Sequence, residues 1–596
     1  MAVRNLVRLI AYLRGSRRRL AAYVALLIVS SGATVAVPLV FRRVVDRGIE
    51  AGRPGAVITL TAAAAGLALL AAATSAAGNS LGAALGMELT YQLRMALYRH
   101  LVGESLPFFS RSRSGALTAR VSRDTLDAQK LVQGLLGTTT AQGVTLVFAV
   151  AAMVSLDPVV TLCVLAGAPL FLIPGKVFAR RVMAAARRQA KAGTAANHHL
   201  TEWLNVSGAL TRELFGSAER EVAAFGRVAR EQRDAVTSRN VNFYASGFFL
   251  AALGAVGYAT VYLLGGLRTA HGSMSIGTLI ALAALVQAVY NPLVQITTQG
   301  LGLSTGLVAL ERVFEVLDRG RPDEPATDGK LHRPVRSLVL DDVWFRHPTT
   351  AEATLPSLAD TDPDETGGRW ALRGIDLQLT AGATTAIVGP SGAGKTTTAL
   401  VASGIYRPDR GTVILDGIDT TTLSRHELHR AVGMVTQDAY LLNDTLRENL
   451  LIAAPDAGDG ALRAACDLAE LHELVAAMPN GLDTVMGDRG YRLSGGERQR
   501  LALARVILAA PDIVILDEAT AHLDSRTEAA VRRALSQHLA GRAQLVIAHR
   551  LSTITRADRI VVLEAGRVVE TGTHVELLEK QGAYARLVAS GDDLRP

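Results

Sequence analysis

Gly389-Pro390-Ser391-Gly392-Ala393-Gly394-Lys395-Thr396 is a complete G-x-x-x-x-G-K-[ST] string. Its chemistry is phosphate binding. Glycines let the backbone wrap an anion with N–H groups, and a following helix adds a positive dipole end. Lys395 would reach the outer phosphates of a nucleotide, and the Thr396 hydroxyl would sit on Mg²⁺. The flanks agree: 385–388 reads as a buried strand, and 397–403, opening on Thr397, reads as a helix start. A second chemical pair ends the apolar run Ile513-Val514-Ile515-Leu516-Asp517-Glu518. Adjacent carboxylates are usually only solvated. Directly after four aliphatics and downstream of a phosphate loop, they become candidates for handling a metal and a water.

Three more strings complete the set: Val435-Thr436-Gln437-Asp438, Leu493-Ser494-Gly495-Gly496-Glu497 and Ile547-Ala548-His549-Arg550-Leu551. In this order and spacing, over about 338–590, they resemble the Q-loop, signature loop and switch histidine of ATP-binding cassette proteins, with 513–518 as Walker B strand and catalytic glutamate. Together with the apolar first half, nearly the whole chain resembles a half-size ABC transporter of the exporter type. The resemblance implies that 389–397 binds ATP and that Thr396, Gln437 and Asp517 hold Mg²⁺, Asp517 through water. It makes Glu518 the group that orients and polarises the attacking water, with His549 on the γ-phosphate. It also implies that Leu493, Ser494, Gly495, Gly496 and Glu497 cap the nucleotide of a second cassette. Two such domains, in a homodimer or heterodimer, would then meet face to face.

Departures from the family pattern lie near the adenine end. The aromatic expected to stack on adenine aligns with His347 in Val343-Trp344-Phe345-Arg346-His347-Pro348, and imidazole offers less area than tyrosine. A long segment follows, 349–368, with the acidic residues Glu352, Asp360, Asp362, Asp364 and Glu365 and no basic one before Arg369. It reads as a flexible loop near the nucleotide mouth. After the Walker B carboxylates, Ala521-His522-Leu523-Asp524 carries a bulkier pair than is usual at its first positions.

These motifs need a scaffold, and the chain of 596 residues is too long for one domain. Hydrophobic residues make up 49% and are concentrated early. Six stretches, 20–41, 54–87, 131–156, 158–175, 240–267 and 269–310, lack Asp, Glu, Lys and Arg, and each is long enough to span a hydrocarbon core as a helix. Basic residues fix an orientation. Arg4, Arg8, Arg14, Arg17, Arg18 and Arg19 precede the first stretch, seven basic residues lie in 88–130 and twelve in 176–239. Both termini and both long connections are therefore expected in the cytoplasm, although Arg42, Arg43, Arg47 and Arg53 run against the rule. The net charge of +8 is largely this bias. With no basic-aromatic platform, it does not point to nucleic acid. Two cysteines imply no disulfide framework.

The expected architecture is an α-helical membrane domain with six transmembrane helices and long cytoplasmic extensions, followed by an α/β P-loop ATPase domain. Its parts are a transmembrane domain at 1–319, a linker rich in Pro, Gly and charge at 320–337, and a nucleotide-binding domain at 338–596. The connections 88–130 and 176–239 read as helices continuing past the membrane. Family likeness places coupling helices at Leu106-Pro107-Phe108-Phe109 and at 210–216; a plain cytoplasmic hairpin is the other reading. Gly78, Gly82 and Gly86 suit close helix packing.

On the sixth stretch Gln287, Asn291, Gln295 and Gln299 recur every four residues as one polar stripe. It lines a transport path or hydrogen-bonds neighbouring helices. The expected activity is ATP-driven transport by alternating access in a dimer embedded in membrane lipid. Export of a small amphipathic molecule, peptide or lipid-like substrate leads. Import of a metal chelate and a nucleotide-gated channel are the alternatives.

Overall fold

Helix Ala218–Ala270 runs 53 residues without a break. At 1.5 Å per residue that is about 80 Å, far beyond a hydrocarbon core of ~30 Å. A computed structural model describes residues 2–12, 14–112, 114–166, 168–204, 206–216, 218–320, 331–355, 357–358, 368–437, 439–487, 493–518, 525–548 and 550–590. By internal contacts it forms two units: Met1–Val102 with Gly115–Arg319, and Gly103–Ser114 with Gly320–Pro596.

The first unit is helical. Arg17–Ile49, Pro54–Val102, Gly115–Leu156 and Ala218–Ala270 are each long and apolar enough to cross a membrane, and Ile276–Pro292 is a shorter apolar stretch. The stretch expected at 158–175 is divided between helices Pro158–Ala166 and Ala168–Trp203, and residue 167 lies outside the described residues. The last stretch starts later than its lack of charge suggests. A turn at Gly272 (φ 73°) intervenes, and Ser275 caps helix Ile276–Leu317 by accepting from the Thr278 amide. The core of this unit gathers Val35, Met153, Val160, Leu282, Leu285 and Val289.

Small residues set the closest approaches. A Cβ at Gly82 would meet the Tyr23 ring at 2.9 Å, and one at Gly137 would collide with the Tyr23 hydroxyl while lying 3.6 Å from its Cζ. Tyr23, 7% exposed, is thus wedged between two glycines from separate helical segments. Gly86 leaves similar room for Gln129 and Gln133, so the glycine series is a packing seam.

In the second unit, strands β1 (Ser337–Arg346), β2 (Trp370–Thr380), β3 (Thr384–Val388), β4 (Arg410–Leu415), β5 (Ile418–Asp419), β6 (Val432–Val435), β7 (Ile513–Asp517), β8 (Ala543–Ile547), β9 (Arg559–Glu564) and β10 (Arg567–Gly572) build two sheets. The antiparallel sheet has the order β2-β1-β4-β5, and the larger has β10-β9-β3-β8-β7-β6. Neighbours from β9 to β6 pair parallel, with β10 an antiparallel edge. The parallel strands are near-continuous aliphatic runs, as a sheet covered on both faces requires. Leu338, Leu340, Leu372, Ile387, Val401 and Ile515 share one buried core. A second core joins Leu450, Leu462, Leu482, Leu503 and Leu535.

Gly103–Ser114 belongs to this unit through helix Leu106–Arg111, whose Phe108 is fully buried. The helix lies against Thr350–Ala353, and Ser112 and Thr354 share a hydroxyl–hydroxyl bond of 2.5 Å. The beginning of 349–368 is therefore not the loose loop its composition suggests. Thr349 and Glu352 form a reciprocal capping box that starts a helical turn, while residues 356 and 359–367 lie outside the described residues.

The wedge at Tyr23 is testable. Gly137→Ala should lower the melting temperature of the detergent-purified protein, with an overpacking penalty of about 1–3 kcal/mol. Adding Tyr23→Phe removes the clashing oxygen and should restore most of the loss. Equal melting of the single and double variants would show that the contact does not limit stability.

Candidate active site

The phosphate string joins the C-terminal end of β3 to helix Lys395–Ala402, which starts two residues before the sequence suggests. Gly389, Gly392 and Gly394 have φ of 152°, 78° and 103°, values that favour glycine. Space is equally strict at Gly389, where a Cβ would run into the Leu563 carbonyl, and at Gly394, where one would lie 3.0 Å from the Ala371 carbonyl. Lys395 is 8% exposed and donates to the carbonyls of Gly389 (2.6 Å) and Pro390 (3.1 Å), which turns its ammonium along the loop. Thr396 is exposed on the first turn.

At the end of β7, Asp517 is 2% exposed. Glu518 follows with φ 48°, a left-handed backbone that swings its side chain off the strand line. Two glutamines hold it. Gln437 Nε2 donates to Glu518 Oε2 at 2.8 Å, and the buried Gln499 Nε2 donates to the Glu518 carbonyl at 2.5 Å. Oxygen donors for a hard cation are thus the Thr396 hydroxyl, the Asp517 carboxylate and the Gln437 amide, a set that suits Mg²⁺. His549 and 521–524 lie outside the described residues.

Ser494 caps the 15-residue helix Gly495–Ala509. Its hydroxyl accepts from the Glu497 amide, and Glu497 accepts from the Ser494 amide at 2.6 Å. The box aims a helix N-terminus, with its positive dipole end, outward beside an exposed serine. That is an anion-facing arrangement.

His347 packs edge-on against Phe345 (5.2 Å between centroids) and Tyr406 (5.8 Å). Burial, then the nearby Arg111 guanidinium, holds its pKa below the ordinary histidine value, so the ring is neutral at pH 7. Glu352 is not a free charge near this ring. Arg346 grips it with two bonds of 3.0 Å, and that contact, followed by bonds from Thr349, lowers its carboxyl to about 2.

In the helical unit Gln287, Asn291 and Gln295 are exposed along helix Ile276–Leu317, beside buried Val286, Val289 and Tyr290. Gln287 accepts from the Tyr258 hydroxyl of helix Ala218–Ala270 and donates to Asn291 at 3.4 Å. The Gln299 side chain lies outside the described residues.

Comparison with known proteins agrees with this geometry. Residues 20–293 match the ABC transporter transmembrane region and 372–521 match the ABC transporter ATPase model. An ATP-dependent lipid A-core flippase of Thiobacillus denitrificans is 33% identical over 586 residues, 98% of this chain and 97% of its own. The chain belongs to the ABC transporter family. The uncharacterized ABC transporter ATP-binding protein YfiC of Bacillus subtilis is 31% identical over 84% of this chain and 80% of its own. Among solved structures, a bacterial Atm1-family ABC exporter with ATP bound superposes with a TM-score of 0.80 at 26% identity, covering 97% of this chain and 99% of that one. This ABC transporter is therefore of the half-size exporter type, a membrane-embedded ATP-driven transporter that binds ATP and hydrolyses it. A single cassette per chain implies dimerisation with a second half-transporter.

Sequence reasoning missed Gln499. Nothing local marks a glutamine five residues into a helix as the support of a backbone carbonyl elsewhere. Gln499→Ala should leave the KM for ATP unchanged and lower kcat about tenfold, the effect of losing a hydrogen bond to a buried carbonyl. Gln499→Glu, which cannot donate, should match it in steady-state ATPase assays. A change confined to KM would remove Gln499 from the support of Glu518.

Proposed function

We propose that two copies of this chain export a lipid-like amphipath across the membrane by alternating access. The observation that carries this reading is end-to-end similarity to a lipid A-core flippase, together with a polar stripe that stays exposed on helix Ile276–Leu317. The boundaries expected at 319 and 338 separate the part that moves cargo from the part that uses ATP. The basic N-terminus and the long connections lie in the cytoplasm, with the ATPase domain and C-terminus.

In this reading the loop 389–397 cradles the phosphates, and Lys395 turns from its own carbonyls onto the β- and γ-phosphates. Thr396, Gln437 and Asp517 hold Mg²⁺, which neutralises charge on the phosphates. Glu518, released from Gln437, orients the attacking water, and His549 contacts the γ-phosphate. His347 carries the adenine edge. Leu493, Ser494, Gly495, Gly496 and Glu497 cap the nucleotide of the other copy, where the helix N-terminus behind Ser494 attracts the γ-phosphate. An intact signature loop and an intact Glu518 in every copy support a homodimer with two working sites.

The test is reconstitution in liposomes with a fluorescent lipid in the cytoplasm-equivalent leaflet. ATP should move the label to the other leaflet, and a label that stays put under ATP turnover rejects lipid as cargo. Glu518→Gln should slow hydrolysis by roughly 10²–10⁴ while ATP still binds, and wild-type turnover in that variant would remove Glu518 from its role. Along Gln287, Asn291, Gln295 and Gln299, alanine at one or more positions should alter cargo stimulation while basal ATPase persists. Should all four only reduce folded yield, the stripe serves packing.

A further inference from the structure

Arg42, Arg43 and Arg47 sit at the far end of the first span from the arginine cluster at 17–19, where the bias toward cytoplasmic basic residues disfavours them. Helix Arg17–Arg43 passes there into a π-helical turn, Val44–Ile49, and Arg42, Arg43 and Arg47 all line one cavity of 320 Å³. Leu39, Leu156 and Ser155 form its remaining wall with Asp46. One carboxylate therefore faces three cations.

That carboxylate is committed elsewhere. Asp46 accepts from the Ser275 hydroxyl at 2.9 Å and from the Gly277 amide at 3.0 Å, so it caps helix Ile276–Leu317, and Arg42 reaches it at 3.4 Å. Close approach makes the cap specific, because a Cβ at Gly277 would collide with Asp46. Asp157, next in sequence to Leu156 of the lining, is also engaged: it caps helix Pro158–Ala166 through the Val159 and Val160 amides at 3.0 Å and pairs with Arg268 at 3.1 Å. Arg43 and Arg47, by contrast, are exposed and have no hydrogen-bond or ion-pair partner among the described residues.

We propose that this cavity binds the phosphate group of an anionic membrane lipid, with Arg43 and Arg47 as its main ligands and Arg42 as a third. Planar guanidiniums match phosphate oxygens in geometry and charge. The aliphatic wall of Leu39 and Leu156 suits the glycerol and first methylenes of an acyl chain, which a free anion lacks. The location at the end of a membrane span places the site at headgroup depth. Through Arg42 and Asp46, the bound phosphate is linked to the start of helix Ile276–Leu317, the helix that bears the polar stripe. The site requires only a membrane lipid and stands whether or not the exported cargo is one.

Native mass spectrometry of the full chain, titrated with dioleoyl phosphatidic acid or with phosphate-free dioleoylglycerol, tests this. Phosphatidic acid should bind more tightly than dioleoylglycerol, and Arg43→Ala with Arg47→Ala should weaken it about tenfold or more. Arg43→Lys with Arg47→Lys should keep part of the affinity, which separates charge from misfolding. Arg53→Ala removes an exposed charge just outside the cavity and should change nothing. Equal affinity in the wild type and the double alanine variant, or an equal loss in Arg53→Ala, overturns the site. Displacement of the lipid by millimolar inorganic phosphate overturns the lipid assignment in favour of a soluble anion.

Discussion

Glu518 holds a backbone conformation that residues with a side chain avoid, and much of the ATPase unit serves to keep it there. A left-handed non-glycine residue costs on the order of 1–3 kcal/mol and persists only where its surroundings over-determine it. Here β7 is buried along its whole length between β6 and β8, so the strand cannot shift to relieve the turn. Gln499 then fixes the carbonyl and Gln437 the carboxylate. Gln499 comes from the helix that Ser494 caps, and Gln437 from the segment just after β6. Three separate pieces of chain thus converge on one residue, and movement of any of them is felt at the carboxylate.

The order of the larger sheet sets the phosphate loop and the carboxylates close together, as a single nucleotide site would require. β3 and β7 are parallel and separated by β8 alone. At ~4.8 Å per strand their ends lie about 10 Å apart, which leaves room for phosphates and a hydrated cation between Lys395 and Asp517. Ligands bind at such carboxyl ends of parallel strands because loops and helix N-termini collect there. Gly389 permits the last step, since any side chain there would strike the Leu563 carbonyl at the end of β9.

The parts legible in the sequence are those where chemistry demands contiguous residues. The phosphate string and the paired carboxylates after four aliphatics fall on the elements read for them, because each is dictated by its neighbours in the chain. Long-range partnerships left no local trace. Gln499 and Glu518 are nineteen positions apart, and only the packing of the helix over β7 brings them together. Charge misled in one place: Glu352 counts as one more acid in an acidic segment until Arg346, on β1, captures it. The late start of the last membrane helix has the same origin. Lack of charge marks what lipid tolerates, whereas Gly272 and the Ser275 cap decide where the helix begins.

The chain leaves the first unit at Val102, at the end of a 49-residue helix, contributes Gly103–Ser114 to the second, and returns at Gly115. Phe108 is fully buried in that excursion, and Ser112 is bonded to Thr354. The chain therefore passes between the units three times, at 102/103, 114/115 and 319/320. Extracting Phe108 from the second unit would expose a whole aromatic side chain, at a cost of about 1.5–3 kcal/mol. Tyr406 stacks on Phe345 at 5.0 Å, and His347 rests on both. The residue aligned with adenine recognition thus shares an aromatic cluster with Tyr406, which lines the same cavity as Ser105 and Pro107 of the excursion. Within the second unit, the cluster of His347, Phe345 and Tyr406 and the segment Gly103–Ser114 are parts of one packed neighbourhood, so a change at either alters the packing of the other.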